Sequence, residues 1–206
     1  FTNDYPDAQC KTCPLQRECH NLIKNRLRGD LATLHVHLHG IEALTNDEKL
    51  TSFGEIAKFL PQAGGMLISK MIAREKITER NMGATAELLA ALNTAYFKEI
   101  AAEPEYKFPF DEVEVSLQLE DLYPRKLFPE LYDRPKNRKG VWVIKEFNPG
   151  AGYLVRSWLS GRAWDSLVAQ VQSQYFSQGD AMAVLYRCAS YLQSIAQARL
   201  GAVSDA

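Results

Sequence analysis

The sequence predicts a mainly α fold, an antiparallel helical bundle with a small irregular β/loop insertion in the middle. Three observations predict it. Apolar residues recur at three-to-four spacing over both ends of the chain. Glycine stops and Ser/Thr/Asp caps divide those stretches into short helices. Prolines 104, 109, 124, 129, 135 and 149 crowd the middle, where no long helix survives. The chain divides accordingly into a cysteine loop with a leading helix (1–45), a first helical block (46–103), a Pro-rich β/loop insertion (104–149) and a C-terminal helical block (150–206).

Taken in order, CKTCPLQRECH (Cys10 to His20) is a compact loop. Beyond Asn21, Leu27, Leu31, Leu34, Leu38 and Ile41 form a 4-3-4-3 seam, the stripe of a helix packed on a neighbour. It lasts two heptads, too few for a dimerising zipper. TNDEK (Thr45 to Lys49) is a turn. Ser52 with Glu55 makes a capping box ahead of Ile56, Phe59 and Leu60. Pro61 and Gly64-Gly65 break the chain before Leu67, Ile68, Met71 and Ile72, and Thr85 opens a helix aligning Leu89, Leu92 and Tyr96.

In the insertion, DEVEVSLQLEDLY (Asp111 to Tyr123) partly alternates and VWVIKEF (Val141 to Phe147) has β character. Past it, Trp158 and Leu159 close a helix at Gly161, a left-handed stop. Trp164, Leu167, Val168 and Val171 share the face of the next helix. SQGD (Ser177 to Asp180) caps the last, whose stripe reads Met182, Leu185, Cys188, Ala189, Leu192 and Ile195.

With 206 residues, 46% of them hydrophobic, the chain can bury one substantial core. The 24 basic and 25 acidic residues leave a net charge of −1, so nucleic-acid contact would have to come from local clusters. No apolar run reaches the roughly 18 residues of a membrane span. The opening FTNDYPDAQC carries neither an initiator Met nor a signal-peptide hydrophobic region, and reads as the continuation of a longer chain. Three of the four cysteines lie within ten residues, which argues against a secreted disulfide framework and for the cytoplasm. Phosphate-loop, DExD/H-box, Ser/His/Asp and paired-carboxylate patterns are all missing. The chain as given cannot hydrolyse ATP.

Cys10, Cys13 and Cys19, spaced C-x2-C-x5-C with His20 adjacent, carry the strongest metal pattern. Two thiolates of a C-x2-C knuckle grip one ion, and zinc is the expected cofactor, with His20 the nearest fourth ligand and His35, His39 or a residue upstream of Phe1 the others; the plain alternative is three reduced cysteines in a surface loop. The same spacing resembles the three-cysteine end of the iron–sulfur staple in AddB-type nucleases, which makes a cluster the alternative. Farther on, His35, His37 and His39 look like a ligand comb. Only His35 and His39 share a helix face, and with no carboxylate near them in sequence that pair reads as structural.

The order Trp158, Gly161, Trp164, Gly179-Asp180, Arg187 and then Gln193 or Ser194 resembles the closing DSHCT-type helical domain of Ski2-like superfamily 2 RNA helicases. The block from Lys49 to Leu92 is similar to an earlier helical segment of that family. Together the two cover roughly residues 46–100 and 150–198. The resemblance implies a non-catalytic C-terminal accessory module that guides single-stranded RNA or DNA and braces upstream ATPase domains. ATP would then be bound only in that upstream core. It also implies Arg187 as a nucleic-acid contact. Tyr186, beside it, is a candidate for base stacking. Arg156 and Arg162, on the rim of the Trp158 helix, and the basic run Arg134, Lys136, Arg138 and Lys139 complete the candidate set. The alternative, which the near-neutral charge favours where the two motif blocks favour the helicase module, is a zinc-stabilised protein–protein interaction or scaffold module with no nucleic-acid role.

Overall fold

The computed structural model describes residues 31–61, 64–93, 100, 102–132, 148–171 and 176–204. The chain is mainly helical, with no strand among the described residues. Its helices are α1 (31–40), α2 (Ser52–Ala57), α3 (Gly65–Ala73), α4 (Met82–Asn93), α5 (Glu112–Leu122), α6 (Pro149–Leu159), α7 (Trp164–Val171) and α8 (Gln178–Ser204). The cysteine loop, Leu27, the basic run 134–139 and VWVIKEF lie outside the described residues.

Helix α4 is the hub. Leu88, Leu89, Ala90, Ala91 and Leu92 are all fully buried, which a helix reaches only when neighbours cover every side. α6 and α8 supply most of that cover; α2 packs on α3 and α8, and α5 reaches α3. One apolar cluster runs from Ile41 and Ala43 through Leu67, Leu89, Leu119 and Leu154 to Ala198, so all four stretches of sequence feed a single core.

The helix starts follow local hydrogen bonding. Thr51, not Ser52, caps α2: its hydroxyl accepts from the Gly54 amide at 3.1 Å. Glu55 is left to pair with Lys58 instead of closing a capping box. α4 begins ahead of Thr85, because Thr78 and Asn81 form a reciprocal cap over a 3-10 turn, Glu79–Asn81, that runs straight into it. Thr85 is buried and returns its hydroxyl to the Asn81 carbonyl at 3.1 Å. Gly64 precedes α3 at φ +71, a left-handed position favouring glycine. There the Met66 amide donates to the Tyr123 hydroxyl at 3.1 Å, so a residue beyond α5 caps α3. Burial pushes that hydroxyl's pKa up to about 12.

The stretch read as partly alternating, Asp111 to Tyr123, is helical. The Asp111 carboxylate accepts from the Val113 and Glu114 amides, both at 2.9 Å, and starts α5. Of its apparent alternation, Val115 and Leu119 face the core with Leu122, while Val113 and Leu117 face solvent. α6 ends as expected. Gly161, at φ +81, donates to the Trp158 carbonyl at 2.9 Å and Arg162 to Ser157 at 3.2 Å, a Schellman closure. Ser177 and Asp180 cap α8 reciprocally, the Ser177 amide donating to the Asp180 carboxylate at 2.8 Å. The face of α8 is rotated from the predicted stripe: Ala181, Val184, Cys188, Tyr191, Ile195 and Ala198 are buried, whereas Met182 is exposed.

Candidate functional site

Helix α1 separates the three histidines. His37 points at the C-terminus of α5, where its Nε2 lies 2.9 Å from the Leu122 carbonyl and so donates to it. His35 and His39 share another face, with ring centroids 4.7 Å apart. The turn that follows folds back onto them. The Glu48 carboxylate reaches His35 Nε2 at 2.5 Å through Oε2 and His39 Nε2 at 3.2 Å through Oε1. The hydrogen bond from His35 holds the Glu48 pKa below the usual carboxylate value, against desolvation and with the hydrogen bond from His39 adding to it.

The carboxylate missing from the immediate sequence of the histidine pair therefore comes from the TNDEK turn. Thr45 donates to the Lys49 carbonyl at 2.7 Å and accepts from the Glu48 amide at 3.0 Å, while Leu44 and Leu50 form an antiparallel bridge. Glu48 sits at φ +61, in the left-handed region where a non-glycine residue is held only by its surroundings. The signal in sequence was a tight turn carrying an acid directly after a helix with an i, i+4 histidine pair.

Two of the candidate cations are paired with carboxylates. Arg156 on α6 binds the buried Glu87 of α4 and lies over the Tyr106 ring, 4.8 Å from its centroid. The Tyr106 hydroxyl donates to the same carboxylate at 2.9 Å. Desolvation, reinforced by the Glu87 charge, pushes the Tyr106 pKa up. Arg162 donates to Glu103 at 3.0 Å and to the Tyr153 hydroxyl at 2.8 Å, and also reaches Gln170. Sequence spacing shows a basic rim but not the carboxylates, which are distant in the chain. Tyr186 and Arg187 stand exposed on the outer side of α8. Cys10, Cys13, Cys19 and His20, like Arg134, Lys136, Arg138 and Lys139, lie outside the described residues.

Among the described residues no helix is long and apolar enough to cross a membrane. Comparison with protein-family models, with curated proteins and with solved structures gives no match.

Proposed function

We propose that the chain acts by binding, as a helical interaction module for another protein in the cytoplasm. The carrying observation is a second apolar stripe on two helices whose first stripe is already in the core. Val113 and Leu117 on α5 are 68% and 62% exposed, and Met182 and Tyr186 on α8 are 54% and 75% exposed. Scattered exposed apolar residues are ordinary. Pairs one helical turn apart, on helices already buried on another face, form the kind of surface that a partner covers. The pairing of Arg156 and Arg162 with carboxylates weighs the same way. In this reading zinc on Cys10, Cys13, Cys19 and His20 stabilises the N-terminal end.

The second reading is the helicase accessory module that guides single-stranded RNA or DNA. The adjacent, exposed Tyr186 and Arg187 favour it, offering a ring to stack and a cation for phosphate.

A photo-crosslinking residue placed at Leu117, and in a second variant at Tyr186, tests both. The interaction module expects a discrete protein adduct at Leu117. An adduct at Tyr186 that nuclease removes, with none at Leu117, would overturn it in favour of the nucleic-acid reading.

A further inference from the structure

We propose that His35, His39 and Glu48 bind a divalent transition-metal ion, zinc by donor type, that clamps the end of α1 to the 45–48 turn. It rests on residues other than the four cysteine-loop candidates and other than those that carry the proposed function.

The geometry comes first. One donor atom from each of the three side chains lies within 4.8 Å of the others. A tetrahedral zinc ion with bonds of about 2.0–2.1 Å holds neighbouring ligand atoms about 3.3 Å apart. The Glu48–His39 separation, 3.2 Å, already matches that spacing. The shorter 2.5 Å contact to His35 is a hydrogen bond that the ion would replace. It is made through the other carboxylate oxygen, Oε2, so the carboxylate turns as this contact opens to the spacing of a tetrahedral site.

The donor set selects the ion. Two imidazole nitrogens with one carboxylate suit zinc and its first-row neighbours, whereas magnesium and calcium prefer oxygen throughout.

The scaffold holds the donors in place. His37, donating to the Leu122 carbonyl, fixes the rotation of α1 and leaves His35 and His39 facing the turn. On the other side, Glu48 is held at φ +61 by the Thr45–Lys49 hydrogen bonds, including the Lys49 amide to Thr45 Oγ1 at 3.1 Å. Such a backbone position persists where the surroundings over-determine it. Here it aims a carboxylate at two imidazoles. Side-chain exposures of 49% for His35, 27% for His39 and 59% for Glu48 leave the fourth position open to water or to a donor from outside the chain.

The test is a zinc titration of the full chain after chelator stripping, followed by long-range proton–nitrogen NMR of the imidazoles and assigned with single His→Gln variants. The Nε2 signals of His35 and His39 should move together and saturate at one equivalent for this site, while His37 keeps its proton. Glu48→Gln, on an exposed turn, should weaken the response of both by at least about tenfold, since even indirect partners of a metal ligand are worth 10–100-fold. Zinc in large excess that leaves both imidazoles unmoved would overturn the proposal. So would a Glu48→Gln chain that titrates like the parent.

Discussion

Arg156 holds Glu87 with two nitrogens, Nε 2.9 Å from Oε1 and Nη2 2.8 Å from Oε2, and so ties α6 to the hub helix α4. The carboxylate is 6% exposed and the guanidinium 41%, so the pair straddles the edge of the core. Removing one partner from a buried pair is costly because the other charge stays behind. Water at the guanidinium reduces that cost here. Glu87→Ala and Arg156→Ala are each expected to destabilise by about 2–3 kcal/mol, read as a lower urea midpoint. The double variant should lose less than the sum, giving a coupling above about 1 kcal/mol; additive losses would show that the pair is not a unit.

Two glycines of neighbouring position should respond differently. A Cβ on Gly152 would stand 2.5 Å from the Tyr106 hydroxyl, whereas one on Gly161 would meet nothing within 4 Å. Gly152→Ala is expected to force Tyr106 away from Glu87 and cost about 1–3 kcal/mol, in the manner of overpacking. Gly161→Ala carries only the left-handed backbone penalty, about 1–2 kcal/mol. Tyrosine fluorescence should change in the first variant and not in the second.

Glu103 predicts an acid limb of stability. Hydrogen bonds from Tyr153, then from Gln170 and Arg162, lower its pKa from 4.5 to about 2 in the folded chain. A carboxylate whose folded value is depressed contributes stability that is complete above pH 4.5 and is lost as the pH falls toward 2. Glu103→Gln should therefore melt below the parent at neutral pH, and the two melting curves should converge across that window. Parallel curves would remove Glu103 from the account.

Cys188 should be chemically silent in the native chain. Its thiol donates to the Ala86 carbonyl at 3.3 Å, and burial pushes its pKa up to about 12. Thiolate is the reactive form, so alkylation mapped by mass spectrometry should reach Cys188 only as the α4–α8 contact opens. Labelling that does not slow when the fold is stabilised would contradict this.

Helical class and most helix positions were legible because capping and three-to-four spacing are local signals. Gly161 and the Ser177–Asp180 cap appear where their residue types point. The errors arise where a choice between faces is made by distant partners. Along α8 the buried seam is 181, 184, 188, 191, 195, 198, but Met182, Leu185 and Leu192 lie one position over and are as apolar. Only α4, α2 and α6, packed against the helix, decide between the two stripes. α5 misled for a related reason: its valines and leucines at 113, 115, 117 and 119 fit a strand period, and the Asp111 cap settles the matter for helix. Glu48 escaped notice because the turn signal in TNDEK does not say that its backbone takes the left-handed position that aims this acid back at the histidines.

The burial of α4 also bears on how the chain emerges from the ribosome. Its leucines at 88, 89 and 92 are covered largely by α6 and α8, which are synthesised only after Asn148. A nascent chain ending near Tyr132 thus presents the leucines of its hub helix bare, and packing must wait for α6 and α8. Such a delay favours chaperone capture during synthesis. It also makes the C-terminal helix, rather than any early segment, the step that commits the protein to its folded state.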